Sequence, residues 1–463
     1  MNAGERSMGL GLRALNRLAG SELLDRVGQR GRVQRWVYQG TRHGFRAVGA
    51  TSRSFNAAAK LTRPARQSHA RSSDLFDVSF DEEQQMLREA IGAFAAEQVR
   101  PAALAADGAC ATPPELLAQA SELGITTLGV PEELGGVMAE RSAVTSMLVA
   151  EALAHGDVGI ALAALAPGAV ASALGLWGDA DQQASYLPAF TGEHPPAAAL
   201  ALVEPRALFD PLRLSTRARR QEGDWVLSGV KALVPRAAQD ELFVIAANAD
   251  GLGPALFVVE SSSKGLYTER EPAMGLRAAA TGRVGLEDVR VPAGALLGAA
   301  TPTSSSTVAS SSKVDDDDAS PEGQGSAEVY LECVQRARIA WCALAVGAAQ
   351  AVLDYVIPYV NERVAFGEPI SNRQAVAFAV ADVGIELEGM RLLTYRAANR
   401  ADIGKDFAHA SALARRLCVE KGVRIGSDGV QLLGGHGYVK EHPVERWYRD
   451  LRAIGVMEGA LLV

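Results

Sequence analysis

The stretch that decides the fold lies near the end of the chain and reads Gly429-Val-Gln-Leu-Leu-Gly-Gly-His-Gly-Tyr438. It is followed by Glu441-His-Pro-Val-Glu-Arg446, by Arg449-Asp450 and by Glu458-Gly459. Glycines in such a turn let backbone N–H groups approach an anion or an adenosine without interference from Cβ atoms. Alternatively, these glycines bind nothing and only end a helix and form an ordinary turn.

A second group of residues lies upstream and reads Arg363-Val-Ala-Phe-Gly367, followed by Pro369-Ile370 and Gln374. A guanidinium is planar and permanently charged, so it suits a pyrophosphate. A surface arginine beside a Gly-Pro turn would be the simpler interpretation of any three of these residues.

Taken together, the two groups resemble the signature of the acyl-CoA dehydrogenase family, and the resemblance covers roughly residues 76 to 463. It implies FAD as the cofactor, an acyl-CoA substrate in fatty acid β-oxidation, and electron transfer to an electron-transferring flavoprotein. It also implies a homodimer or homotetramer, because the pyrophosphate motif often serves a neighbouring subunit. The residues expected at the cofactor are Arg363, Phe366, Gln374, Gln431, Gly434 and Gly435.

The resemblance places the catalytic base at Glu458, which would remove the α-proton of the thioester. A lone glutamate near a chain end is otherwise a solvated charge. Some family members carry the base just before a conserved arginine of an earlier helix, but here that arginine is Arg338 and Ala337 precedes it. Arg338 and Gly459 are expected to contact the substrate. No metal site is expected.

The middle of the chain departs from the family pattern at the flavin. Val203 and Phe209 stand where a threonine and a serine are usual, and Leu233-Val-Pro235 replaces a Trp-Ile-Thr run. Ala460 and Leu462 likewise replace a usual threonine and glutamine after the base. Each lost side-chain hydrogen bond is worth about 0.5–1.5 kcal/mol. Two hypotheses therefore stay open: an enzyme that makes a trans-2-enoyl-CoA, and a non-catalytic or FAD-sharing subunit of a hetero-oligomer.

Periodicity along the chain predicts an α+β protein with segregated layers. We expect an N-terminal helical domain at residues 76–198, a β domain at 199–299 and a C-terminal helical domain at 328–463. The resemblance implies a barrel-like middle domain and a four-helix bundle at the end. Residues 300–327 are rich in Ser, Thr and Asp and poor in apolar residues, which predicts a flexible low-complexity insert.

The charge of the chain is unevenly distributed. Residues 1–72 carry 14 Lys and Arg against 3 acids, although the whole chain has a net charge of −8. The acidic body argues against nucleic-acid binding. The basic extension at residues 1–75 predicts a docking arm, with peripheral contact to an anionic membrane among its targets, in a bacterial cytoplasmic protein. A mitochondrial transit peptide, and hence the mitochondrial matrix, is the alternative.

One uncharged stretch, residues 158–178, is long enough to span a membrane. Its Ala/Gly composition and Pro167 favour buried helices joined by a turn. Neither the acyl chain length, nor the seating of the flavin, nor the choice between homo- and hetero-oligomer follows from the sequence.

Overall fold

The computed structural model describes residues 79–136, 141–192, 194–298 and 321–463. All of them belong to one unit, which spans Phe76–Val463. The predicted basic extension at residues 1–75 and residues 300–320 of the predicted insert lie outside the described residues.

Six α-helices form the N-terminal layer, and a π-helical turn at Ala95–Val99 joins the first two. Asp81 caps the first helix: its carboxylate accepts a hydrogen bond from Gln84 N at 2.7 Å, and the Gln84 side chain accepts one from Asp81 N. The helices are α1 Glu82–Phe94, α2 Arg100–Ala109, α3 Pro114–Glu122, α4 Ala143–Gly156, α5 Val158–Trp177 and α6 Ala180–Phe190.

The expectation that residues 158–178 form helices joined by a turn is wrong, because α5 runs unbroken through Pro167. Proline removes one hydrogen bond from a helix, and tight packing on all sides of α5 compensates for that loss. Two described helices, α5 and the segment Gly325–Glu362, are long and apolar enough to cross a membrane by length and composition only. In α5, 83% of that apolar window is buried inside the protein, which is typical of a core helix.

The middle of the chain forms one mixed seven-stranded sheet in the order β1-β4-β2-β3-β7-β6, with β5 paired to β4. Strand β4 is parallel to β1 and β2, whereas the other pairs are antiparallel. The strands are β1 Ala198–Ala201, β2 Arg217–Gln221, β3 Asp224–Val234, β4 Leu242–Ala249, β5 Gly253–Glu260, β6 Leu266–Arg270 and β7 Gly282–Val291.

Four further helices form the C-terminal layer. Helix α7 begins at Pro321, inside the segment that was predicted to be the insert, and continues through Pro358. A short hairpin separates it from α8. The elements are α7 Pro321–Glu362, β8 Val364–Ala365, β9 Glu368–Pro369, α8 Gln374–Asp402, α9 Ala408–Leu433 and α10 Val444–Ala453.

The two helical layers share one core, which contains the fully buried Trp341 of α7 and Trp447 of α10. A separate core lies on the sheet, where Trp225 packs edge-to-face on Phe257 with ring centroids 5.4 Å apart. The predicted α+β class, with helical N- and C-terminal parts around a β middle, is confirmed.

Candidate active site

Glu458 lies on a segment that follows α10 and joins the edge of the sheet. Gly459 forms an antiparallel bridge with Ala201 of β1, and Ala460 N donates to Leu200 O at 3.0 Å. Only 8% of Glu458 is exposed. The segment therefore places a buried carboxylate where the sheet meets α7 and α9.

Gly459 fixes the turn that carries this carboxylate. Its φ of +67° is left-handed, and an added Cβ would lie 2.9 Å from Leu202 Cβ. The indole Nε1 of Trp341 donates a 2.7 Å hydrogen bond to Gly459 O. Glycine is therefore required here both by backbone conformation and by space.

Two arginines face the Glu458 carboxylate. Arg338 of α7 donates from Nε to Oε2 at 3.0 Å and from Nη2 to Oε1 at 2.9 Å. Arg415 of α9 lies on the other side, with Nη2 3.6 Å from Oε1. Ala337, the position of the alternative base, is fully buried and carries no acid. The structure thus brings the predicted residues Glu458, Arg338 and Gly459 together.

The predicted cofactor residues lie on a different surface. The side chains of Arg363, Gln374 and Gln431 are exposed and form no hydrogen bond or ion pair with other described residues. Phe366 is 95% exposed at the tip of the β8–β9 hairpin, and the Arg373 guanidinium lies 5.6 Å from its ring centroid.

Tyr359 connects the end of α7 to the glycine turn. Its hydroxyl donates to Leu433 O at 3.3 Å and lies 2.9 Å from His436 Nδ1. Gly434 has φ +58° and ψ −131°, and no atom lies within 4 Å of the Cβ position at Gly434 or Gly435. Arg363 and the glycine turn therefore belong to one end of the bundle.

This surface is far from Glu458. Arg338 and Arg363 are 25 residues apart on or just after α7, which corresponds to roughly 37 Å at 1.5 Å per residue. Arg338, which holds the base, therefore lies near the middle of α7, whereas Arg363 directly follows the end of that helix.

The altered flavin motifs are held mainly through the backbone. Val203 is buried and its carbonyl accepts Ala232 N at 2.8 Å. Leu233 has a left-handed φ of 53°, and its N–H donates to Glu271 Oε2 at 2.7 Å. The half-buried Phe209 packs under the Arg206 guanidinium. This side of the site keeps an ordered backbone without the usual hydroxyl groups.

A buried ion pair supports the same strands. Lys231 Nζ donates to Glu204 Oε1 at 3.0 Å and to Leu202 O at 3.2 Å, and both charged side chains are at most 3% exposed. Burial lowers the pKa of Lys231 to about 8 against the opposing charge of Glu204. Burial alone would raise the pKa of Glu204. The Lys231 ammonium and the N–H of Thr216 nevertheless lower that pKa to about 2.

FAD fits these residues in one respect that the structure tests directly. The glycine turn is open at the Cβ positions of Gly434 and Gly435, and the side chains of Arg363, Gln374 and Gln431 are exposed and have donors without partners among the described residues. That combination of donors suits a pyrophosphate and an adenosine.

Sequence reasoning missed Arg415, Trp341 and the Lys231–Glu204 pair. Arg415 could have been found, because it interrupts the small buried face of α9 formed by Ser411, Cys418 and Gly422. An arginine in such a stripe predicts a buried acidic partner.

The chain is similar to known proteins over most of its length. Residues 81–193, 199–289 and 324–461 match the family models described as the N-terminal, middle and C-terminal domains of acyl-CoA dehydrogenase.

Two curated relatives are similar over most of the chain. The mitochondrial short-chain specific acyl-CoA dehydrogenase of Mus musculus is 31% identical over 390 residues, which cover 82% of this chain and 88% of the relative. The acryloyl-CoA reductase (NADH) of Anaerotignum propionicum is 30% identical over 395 residues, with coverage of 83% and 92%.

Two solved structures have a similar fold. Butyryl-CoA dehydrogenase from Megasphaera elsdenii matches with a TM-score of 0.72 and 26% identity, over 83% of this chain and 96% of that one. A structure described as electron transferring flavoprotein of Acidaminococcus fermentans matches with a TM-score of 0.71 and 27% identity, at the same coverage.

Proposed function

The chain belongs to the acyl-CoA dehydrogenase family of FAD-dependent oxidoreductases, and from that premise we propose that Glu458 is its catalytic base. The base removes the α-proton of a short acyl-CoA thioester, a hydride leaves the β-carbon, and a trans-2-enoyl-CoA is released. When bound, FAD supplies the acceptor for that hydride. The observation that carries the proposal is the buried carboxylate of Glu458, held at the edge of the sheet by Arg338.

The surroundings of Glu458 suit proton abstraction. The Trp341 indole and the β1 bridge fix the turn, so that the carboxylate is directed without a large loss of side-chain freedom. The two hydrogen bonds from Arg338 orient the carboxylate, which is the group that accepts the proton. The side chain of Arg338 is 28% exposed, so its guanidinium can also be reached by the substrate. Gly459, the other residue expected to contact the substrate, is buried, and its carbonyl oxygen accepts the Trp341 hydrogen bond.

The cofactor surface supports an oligomer with shared FAD. We propose that Arg363, Phe366, Gln374, Gln431, Gly434 and Gly435 bind the FAD whose flavin serves the neighbouring subunit. The reason is the distance of roughly 37 Å along α7 between Arg363 and Arg338, which holds the base. One cofactor would have to span that distance to serve both residues of the same chain. A homodimer or homotetramer satisfies this geometry.

The electron acceptor is proposed to be an electron-transferring flavoprotein. The similarity to a structure described by that name supports it, whereas the similarity to an NADH-linked acryloyl-CoA reductase supports NADH as the competing partner. Reoxidation of the substrate-reduced protein by each partner separates the two. The murine relative is described as mitochondrial. We propose the mitochondrial matrix and the bacterial cytoplasm as the two alternative locations of this protein.

A second candidate follows from the apolar side chains Val203, Leu233 and Pro235. With these residues at the flavin, the chain could instead serve as a subunit that lends its Arg363 surface to a partner's FAD. Flavin content of the protein expressed alone decides: about one FAD per chain supports the enzyme, and a value near zero supports the FAD-sharing subunit. A panel of acyl-CoAs from C4 upward then defines the substrate by anaerobic bleaching of the flavin.

A further inference from the structure

We propose that Arg415 is a positioning residue that holds the base, Glu458, in place from the buried side, while Arg338 faces the substrate. This inference rests on the proposed function of Glu458. Neither the family signature in the sequence nor the family resemblance assigns a role to Arg415.

Arg415 binds both the backbone and the side chain of the base segment. Its Nη2 donates to Met457 O at 2.6 Å and lies 3.6 Å from Glu458 Oε1. A single guanidinium therefore connects helix α9 to the residue before the base and to the base itself. Met457 is 1% exposed, so this connection lies inside the protein.

The second terminal nitrogen of Arg415 has no partner. Nη1 is buried and forms no hydrogen bond within the described part of the chain. A buried guanidinium nitrogen without an acceptor is costly, and the nearest carboxylate is that of Glu458. Burial lowers the pKa of Arg415, and Glu458 is the largest cause that opposes the shift. The arginine is thus held in the site at a cost that its pairing with Glu458 offsets.

Arg338 and Arg415 differ in how far their side chains are exposed. The side chain of Arg338 is 28% exposed, whereas that of Arg415 is 11% exposed. When a substrate engages Arg338, the fork to Glu458 loosens, and Arg415 is the positive charge that remains. Its hydrogen bond to Met457 O then keeps the turn of the base fixed.

Five charged or titratable side chains from α7 and α9 lie around Glu458, and Glu204 from the β domain faces one of them, Tyr330. The five are Arg338, Tyr330 and Cys342 on α7 and Arg415 and Cys418 on α9. Burial raises the pKa of both Tyr330 and Cys342, so these two groups are neutral at working pH. The charge next to Glu458 is therefore set by the two arginines.

The first test measures the rate of flavin bleaching by butyryl-CoA in the FAD-loaded full chain. Arg415→Gln carries no charge, and Arg415→Lys keeps the charge. Arg416→Gln is the matched control, because Arg416 is the exposed neighbour on the same helix. We expect Arg415→Gln to lower the rate of bleaching per bound FAD by about 10-fold or more, because the base is no longer held in place. Arg415→Lys should recover most of that rate, and Arg416→Gln should match wild type.

A loss of folding alone would lower the FAD content and leave the rate per bound FAD unchanged. A rate per bound FAD in Arg415→Gln equal to that of wild type therefore overturns the inference. Wild-type protein that contains FAD and is bleached by no acyl-CoA contradicts the proposed function instead.

The second test needs no substrate. Thermal unfolding of Arg415→Gln, of Glu458→Gln and of the double variant forms a cycle that reports the coupling between the two side chains. We expect Arg415→Gln to lower the midpoint clearly in the wild-type background and little in the Glu458→Gln background. Equal losses in the two backgrounds would overturn the inference, whatever the substrate is.

Discussion

Arg338 and Glu458 form a two-pronged ion pair, with Nε 3.0 Å from Oε2 and Nη2 2.9 Å from Oε1, although they are 120 residues apart in the chain. The pair joins α7 to the segment that extends the sheet at β1. Its geometry fixes the plane of the carboxylate, so a substrate meets a base that is already oriented. To accept a proton, one carboxylate oxygen has to loosen its bond to the arginine.

Arg363→Met should weaken FAD binding by about 10- to 100-fold, because a charge-assisted hydrogen bond contributes about 1.5–3 kcal/mol. The side chain is exposed and forms no hydrogen bond or ion pair with other described residues, so its loss should leave folding unchanged. Flavin content after dialysis measures the effect, and Arg416→Met is the control for loss of an exposed arginine. Full FAD retention by Arg363→Met would remove this arginine from the cofactor surface.

Gly434→Ala and Gly435→Ala form a matched pair. Both positions have open space for a methyl group, but only Gly434 has a left-handed φ. We expect Gly434→Ala to lower the free energy of unfolding by about 1–3 kcal/mol. Gly435→Ala should leave stability unchanged and weaken FAD binding, if the backbone approaches the cofactor there. Chemical denaturation of the apoprotein and FAD titration separate the two effects.

How far the sequence predicts this site depends on the kind of residue. Glu458, Arg338 and Gly459 were predicted to act together and lie together, because their positions follow a motif. Arg415 and Trp341 were not predicted, since their roles depend on how α9 and α7 pack against the last segment.

The spacing of apolar residues in the sequence predicted the layers of the fold. Apolar spacing reports which face of an element is buried, and that is sufficient to assign helices and strands. It does not report tertiary compensation. Pro167 was therefore expected to interrupt a helix, whereas α5 passes through it because its whole circumference is packed. The roles of the cofactor residues remain predictions that the experiments above test.

The stability of the protein should fall as the pH rises from about 5 to about 8.5. Burial, followed by the neighbouring charge of Asp157, raises the pKa of Asp450 from 3.8 to about 8. A carboxyl group with a raised pKa in the folded state binds its proton more tightly there than in the unfolded chain. Folding is therefore favoured below the folded pKa and loses that contribution between about pH 4 and pH 8.

Asp450→Asn should flatten this dependence. The amide oxygen can still accept the 2.7 Å hydrogen bond from Leu276 N, while the titrating proton is gone. Thermal midpoints at pH 6 and pH 8.5, compared between wild type and Asp450→Asn, isolate this group from other titrations. An identical pH slope in both proteins would contradict the assignment.

Lys231→Met should destabilise the protein by about 3–5 kcal/mol, because it leaves the buried Glu204 carboxylate without its cation. The double variant Lys231→Met/Glu204→Gln should regain part of that loss, since no unpaired charge remains. Equilibrium denaturation of the wild type, both single variants and the double variant gives the coupling energy. Simple additivity of the two substitutions would show that the pair does not act as a unit.

Anaerobic bleaching of the FAD-loaded protein by acyl-CoA, compared between wild type and Glu458→Gln, tests the role of Glu458 most directly. We expect wild type to be bleached and Glu458→Gln, with FAD still bound, to be slower by about 10²–10⁴-fold, because a general base is lost. Bleaching of Glu458→Gln at the wild-type rate would contradict the assignment of Glu458 as the base.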